Sequence, residues 1–146
     1  MIIDVHNHYY PPEFIAAIKK GPSKYTVEED ADGNPVLCSP GDKNFIVPGH
    51  RDIAYREKVL VDAGVDMQVI TLTGPGTTME EPKQSAYLAS LVNDALAKIK
   101  TERSKQFTSL ATLPLNDPAA SVKELDRVMS MGFAGVMVYA SVNGVQ

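Results

Sequence analysis

Hydrophobic and polar positions along the chain follow two periods in turn. Short runs of β-branched and other apolar residues predict strands, and apolar residues spaced three and four positions apart predict amphipathic helices. The predicted strands are residues 2–8, 65–72, 107–113 and 133–139, and the predicted helices are residues 11–20, 52–63, 83–103 and 117–131. Residues 140–146 are predicted to begin another loop.

Residues 23–48 interrupt this alternation. Residues 25–27 and 36–38 predict two short strands around Asp32-Gly33-Asn34, a strong turn signal, so we expect a small β-hairpin. Residues 44–47 are a candidate for a further short strand. An insertion of about 26 residues is long for a connection in a compact domain. It is either a lid or pocket wall, or a solvated surface flap.

The order β-α-β-α-β-α-β is typical of a parallel sheet with helices on the outside. Two architectures fit, an open doubly wound sheet and part of a closed eight-stranded barrel. In both of them a functional site lies at the carboxyl ends of the strands. The polar side chains that the pattern places there are His6, His8, Thr71, Thr73, Asn116, Tyr139 and Ser141.

The composition sets broad limits on the class of protein. A chain of 146 residues with 44% hydrophobic and 22% charged residues predicts one ordinary globular domain. A net charge of -4 argues against nucleic acid as a main partner. The single cysteine, Cys38, excludes an internal disulfide. No charged segment followed by an apolar run opens the sequence, and no apolar run approaches about 18 residues, so we expect neither a leader nor a membrane-spanning helix. The expectation is a soluble, cytoplasmic protein.

The first strand ends in the pair His6-Asn7-His8. Side chains alternate between the faces of a strand, so Asp4, His6 and His8 are expected on one face. Two neutral imidazoles on one face can reach a single metal ion, with Asp4 as a hydrogen-bond acceptor that orients them. The alternative is a pair of histidines that cap a sheet edge.

Several stretches together resemble one known family. They are residues 2–12, 48–52, 63–65, 91–94 and 111–118. The chain resembles the amidohydrolase superfamily, and within it the amidohydrolase-related branch that includes aminocarboxymuconate-semialdehyde decarboxylase and γ-resorcylate decarboxylase. Phosphoesterases of the polymerase-and-histidinol-phosphatase type also open with paired histidines on a first strand. The Tyr-Tyr-Pro-Pro segment after His8 fits the amidohydrolase branch better.

The resemblance implies a metal-dependent (β/α)8 barrel, a TIM-type barrel, in which His6 and His8 hold a divalent ion, usually zinc. The family completes this site with a histidine from the fifth strand and an aspartate from the eighth, and it uses a catalytic histidine from beyond the fourth strand. The only other histidine here is His50. The resemblance therefore places no catalytic residue in this chain.

A barrel of this kind typically needs ~250 residues. The resemblance thus implies that residues 1–146 form a single domain, the N-terminal half of a barrel with about four β/α units, in which residues 23–48 are the hairpin or lid insertion. An open half-barrel leaves two sheet edges unpaired. We therefore expect a second half of the barrel, or a second copy of the chain, as a partner.

Arg51 is the candidate for substrate binding. The resemblance implies an arginine near this position that contacts a substrate carboxylate, and a guanidinium offers two parallel donors for that purpose. The alternative is a solvated arginine before a helix. His50 is a weaker candidate, and Asn143 is a further polar residue that could line a pocket.

Two functions of different classes remain open. In the first, the full-length parent is a metal-dependent hydrolase or nonoxidative decarboxylase of small carboxylated substrates, often aromatic or unsaturated. In the second, the chain is a catalytically incomplete half-barrel that acts only as a folding or assembly unit.

Overall fold

The computed structural model describes residues 1–144. Its helices are α1 (Pro12–Lys20), α2 (Ile53–Asp62), α3 (Pro82–Glu102) and α4 (Pro118–Ser130), with a single 3-10 turn at Pro48–His50 before α2. Its strands are β1 (Ile3–Asp4), β2 (Thr26–Glu29), β3 (Pro35–Ser39), β4 (Asp42–Phe45), β5 (Met67–Ile70), β6 (Phe107–Ser109), β7 (Ala111–Thr112) and β8 (Val136–Met137). The last two residues of the predicted loop 140–146 lie outside the described residues.

Five of these strands run parallel. β1 pairs with β5, β5 pairs with β6, and β7 pairs with β8. Only Leu110 separates β6 from β7, so this stretch of chain bonds to β5 with its first part and to β8 with its second. The four predicted strands are therefore neighbours in chain order. The predicted α/β class with parallel strands is confirmed.

The prediction of a buried first strand is wrong. β1 covers two residues only, and Ile2, Ile3 and Val5 are 57%, 43% and 70% exposed. Among the described residues β1 pairs only with β5, so its other edge has no partner strand. The apolar side chains beside that edge are therefore exposed. The strand ends at Asp4 because the Asp4 carboxylate accepts a hydrogen bond from the His6 N–H at 3.0 Å, which turns the chain.

The insertion forms an antiparallel sheet of three strands. β2 and β3 make the predicted hairpin, and β4 pairs with the other edge of β3. The turn is closed by the Asp30 carboxylate, which accepts hydrogen bonds from the N–H groups of Asp32 and Asn34. Gly33 adopts φ +76°, a conformation that favours glycine. This turn chemistry is local, which is why the sequence predicted it.

The helices begin and end near their predicted residues. The Asp52 carboxylate accepts hydrogen bonds from the N–H groups of Ala54 and Tyr55, and the Asp117 carboxylate accepts one from the Ala120 N–H. Both residues stand at the first position of a predicted helix, where aspartate is a favoured N-cap. No helix among the described residues is long and apolar enough to cross a membrane.

The hydrophobic core lies between the helices, the parallel strands and the insertion. α1 packs against α3, and α3 packs against β6 and β7. The insertion adds side chains from β3 and from the residue after β4. Fully buried members of the core include Phe14, Leu37, Ile46, Ile70, Leu88, Val92, Leu96 and Phe107.

A buried polar bridge joins α3, α4 and β7. The Asn93 side chain is fully buried and donates to the Thr112 carbonyl at 2.9 Å and to Glu124 Oε1 at 2.7 Å. Its Oδ1 accepts a hydrogen bond from the Thr112 N–H at 2.9 Å. On the surface side, Arg127 contacts both Glu124 and Asp94. Asn93 thus fixes the position of β7 relative to two helices.

Buried phenols are expected to make the fold sensitive to alkaline pH. Burial raises the pKa of Tyr139 to about 12, and it also raises the pKa values of Tyr10 and Tyr25. A phenol in an unfolded chain titrates near 10. Because the folded state holds these protons more tightly, their stabilising contribution is complete below about pH 10 and is lost as the pH rises through about 12. Urea unfolding midpoints should fall across this window.

Tyr139 provides the control for this prediction. Its Oη is buried and has no hydrogen-bond partner among the described residues. Tyr139→Phe removes this hydroxyl and its desolvation penalty, so the free energy of unfolding at pH 7 should stay the same or rise by up to about 3 kcal/mol. The same variant should lose less stability than the parent protein between pH 10 and 12. An identical alkaline loss would show that the Tyr139 phenol contributes nothing to it.

Candidate metal centre

Three histidine rings meet beside the carboxyl end of β1. The ring centroids of His6 and His8 are 5.9 Å apart, and those of His8 and His50 are 5.7 Å apart with the rings stacked. They line a cavity of about 410 Å³ between the His-x-His segment, the 3-10 turn and α2. The structure thus brings the weak candidate His50 next to the predicted metal ligands.

The His50 ring is oriented by the insertion. Its Nδ1 lies 3.1 Å from the carbonyl oxygen of Phe45, at the end of β4. A carbonyl only accepts, so this hydrogen bond requires the proton on Nδ1 and leaves Nε2 of the neutral ring without one. The insertion therefore determines which nitrogen of His50 is available to a ligand.

The surroundings of His8 favour its neutral form. Burial lowers the pKa of His8, and the neighbouring His50, His6 and Arg56 lower it further. Neutral imidazole is the form that binds metals. The electrostatics around His8 therefore suit a metal ligand.

The described residues fit only part of a metal site. Within residues 1–144, no three side chains of His, Cys, Asp or Glu are placed so that together they could hold a metal ion. A structural zinc site takes four protein ligands and a catalytic one three. His6 and His8 can supply two imidazoles, and a complete site needs further ligands.

Asp4 belongs to a hydrogen-bonded chain beside the histidines. One carboxylate oxygen accepts from the His6 N–H, and the other accepts from Gln68 Nε2 at 2.5 Å. Gln68 Oε1 in turn accepts from Arg56 Nη1 at 2.6 Å. Asp4 is thus a hydrogen-bond acceptor that holds the backbone of the His-x-His segment.

Arg56 is the site residue that the sequence reasoning missed. Its side chain is buried, and all of its hydrogen-bond acceptors are uncharged. The available signal was a charge in an apolar stripe, since Arg56 lies on the face of α2 that also carries Ile53 and Leu60. The acceptors are Asn7 Oδ1 at 2.9 Å, Gln68 Oε1 at 2.6 Å, the Gly49 carbonyl at 2.6 and 2.9 Å, and the His8 carbonyl.

Arg51 lies apart from the histidines. Its Nη1 donates to the Ile46 carbonyl at 2.6 Å and to Asn34 Oδ1 at 3.3 Å, both in the insertion. The side chain lines a different cavity, of about 510 Å³, that also contains Glu13 and Lys98. Substrate binding by Arg51 stays a prediction, and it would require a substrate that reaches this second cavity.

The other polar residues at the strand ends do not line the histidine cavity. Asn116 donates to the Glu80 carbonyl, and Asn143 donates to the Thr78 carbonyl. Tyr139 packs against the loop after β5, where a Cβ on Gly76 would lie 3.0 Å from its ring. These contacts stabilise the loops at the carboxyl edge of the sheet.

Comparison with known proteins gives decarboxylases as relatives of this chain. No family model matches the chain. The chain is 34% identical over 90 residues to γ-resorcylate decarboxylase of Rhizobium radiobacter, a match that covers 60% of this chain and 28% of the relative. It is 32% identical over 82 residues to 2-amino-3-carboxymuconate-6-semialdehyde decarboxylase of Dictyostelium discoideum, covering 55% and 23%. The predicted resemblance is confirmed.

The solved structures that match this chain agree in fold. A 2,6-dihydroxybenzoate decarboxylase from Rhizobium matches with a TM-score of 0.66 at 24% identity, over 94% of this chain and 38% of that one. A Staphylococcus aureus protein assigned as an amidohydrolase matches with a TM-score of 0.67 at 19% identity, over 97% and 38%. The matching structures include both decarboxylases and amidohydrolases. The chain spans well under half the length of the relatives and structures it matches.

At least two of the matching structures contain manganese. The dihydroxybenzoic acid decarboxylase from Polaromonas binds manganese and the inhibitor 2-nitroresorcinol, and it matches with a TM-score of 0.69 at 22% identity, over 94% of this chain and 37% of that one. This supports a divalent metal in related decarboxylases. Zinc stays a prediction.

Proposed function

We propose that this chain is part of a metal-dependent decarboxylase of small aromatic carboxylates, in which His6 and His8 bind a divalent ion. One observation carries the proposal. Two adjacent imidazoles face one cavity at the carboxyl end of a parallel strand, in a chain whose relatives are decarboxylases. The relatives favour decarboxylation over hydrolysis, and the similarity to an amidohydrolase concerns the fold alone.

The proposed architecture is the N-terminal half of a TIM-type barrel. Its support is the order of the parallel strands, in which β1, β5, the continuous stretch of β6 and β7, and β8 neighbour each other in chain order. On this proposal residues 1–146 are one domain, and further strands supply the missing ligands and cover the open edge of β1. The insertion of residues 23–48 is a pocket wall in this arrangement, because Leu37 and Ile46 anchor it in the core and Phe45 holds His50.

The residues of this chain would bind and orient the reactants. A divalent ion supplies Lewis-acid polarisation of a substrate oxygen, or activation of bound water. His6 and His8 would hold the ion as neutral imidazoles. Asp4 and Arg56 fix the backbone around them. Arg51 is proposed to bind a carboxylate of the substrate.

The proposal is tested by an assay of the full-length protein with 2,6-dihydroxybenzoate. Decarboxylation consumes one proton and gives resorcinol and carbon dioxide, and both products can be quantified. We expect turnover in proportion to bound manganese or zinc, and loss of turnover after chelation. The matched amide, 2,6-dihydroxybenzamide, should not be hydrolysed. Absence of resorcinol at full metal occupancy, or hydrolysis of the amide alone, would contradict the proposal.

The incomplete ligand set within residues 1–144 favours a second function for residues 1–146 as an isolated chain. On this alternative they act only as a folding or assembly unit for the rest of a barrel. The isolated chain should then bind metal weakly and show no turnover. Turnover by the purified 146-residue form in proportion to its metal content would disprove this alternative.

A further inference from the structure

Arg56 connects three segments that are far apart in the sequence. Its guanidinium bonds to the segment of His8, to the 3-10 turn at Gly49, and to Gln68 on β5. Gly49 directly precedes His50. One side chain therefore holds the two backbone segments whose histidine rings stack against each other.

Among residues 1–144, no acidic side chain contacts the buried charge of Arg56. The side chain is 6% exposed, and its five hydrogen bonds go to backbone carbonyls and side-chain amides. Asp4 is reached only through Gln68. A buried ionic group is often no more stabilising than an apolar residue of similar size, so stability alone does not account for an arginine here. Its planar fork, however, can fix several acceptors in one geometry.

We propose that Arg56 is a positioning residue that sets the placement of the His8 ring relative to the His50 ring and to His6. The consequence for metal binding rests on the proposed function, because it takes His8 as a ligand. The placement of the rings does not depend on that assumption. Arg56 would thus set how the His8 ring is placed for metal binding, without contacting the metal itself.

The test compares the Arg56→Lys and Arg56→Met variants with the protein that keeps Arg56. Arg103→Met is the matched control, because Arg103 is partly exposed and only forms an ion pair with Glu57. The first measurement, made without metal, is the NMR cross-peak between the ring protons of His8 and His50. The second is the dissociation constant for Zn²⁺ by titration calorimetry. Circular dichroism monitors the helices.

We expect both Arg56 variants to keep their helices and to lose the cross-peak between the two rings. Their Zn²⁺ affinity should fall about 10- to 100-fold, as is usual when a residue that orients a ligand is removed. Arg103→Met should retain both properties. If the Arg56 variants lose the cross-peak but the unsubstituted protein binds no Zn²⁺, the result would support the positioning role and contradict the proposed metal site.

Two outcomes would overturn the proposal. A cross-peak of full intensity in a folded Arg56→Met variant would show that the rings are held by other contacts. Loss of the helical signal in both Arg56 variants would assign the residue to the stability of the fold instead.

Discussion

Replacing His6 or His8 by alanine is expected to remove the metal and the activity of the full-length protein together. Each substitution deletes one imidazole from the pair that faces the cavity beside β1. Removing a residue that merely orients a ligand commonly costs about 10- to 100-fold in metal affinity. Loss of a ligand itself should lower the metal affinity by more than that. Elemental analysis after dialysis and the resorcinol assay measure the two effects.

His50→Ala is the matched control for these variants. His50 stacks on His8 and lines the same cavity, but the described residues do not place it in a metal-binding group with the other two. The His50→Ala variant should therefore retain the metal after dialysis. Undiminished metal in both His6→Ala and His8→Ala would exclude these residues as ligands. Loss of metal in His50→Ala to the same degree would make it a third ligand.

The largest expected loss of stability follows from Asn93→Ala. This substitution leaves the Thr112 N–H and carbonyl without their side-chain partner in a buried region, and it removes a hydrogen bond to Glu124. A buried polar group without a partner costs about 1–3 kcal/mol. We therefore expect the free energy of unfolding to fall by about 3 kcal/mol, measured by urea unfolding monitored with circular dichroism.

Asp94→Ala controls for the neighbouring position on α3. Asp94 is exposed and contacts Arg127 at 2.6 Å across the surface. Ion pairs of this kind contribute about 0–1 kcal/mol. A loss in Asn93→Ala no greater than that in Asp94→Ala would mean that β7 is held by its apolar contacts, and that the Asn93 bridge is dispensable.

Local signals explain how much of the fold could be predicted. Helix periodicity, the caps at Asp52 and Asp117, and the turn around Gly33 each depend on residues close in sequence. The exposed first strand could not be predicted in this way. A run of β-branched residues indicates a strand that favours burial, but it does not say which neighbours are present to cover it.

The site was predictable only in part, for a related reason. His6 and His8 lie close together as predicted, but β1 ends at Asp4, so the strand alternation on which that prediction was based does not extend to them. The neighbours of Arg56 come from residues 7–8, 49 and 68, and no pattern along the chain joins these positions. Arg51 was selected by resemblance alone, and its contacts with the insertion were not visible in the sequence.

The separate sheet of β2, β3 and β4 has a consequence for how such proteins diversify. Its ladder closes within residues 26–45 and does not pair with the parallel strands described here. Insertions, deletions and substitutions at its Asp30–Asn34 turn can therefore accumulate without shifting the register of the strands near the histidines. Among descendants of one ancestral gene, the outline of this sheet can drift without moving the parallel strands, but a change at Asn34 would reach Arg51 through their hydrogen bond.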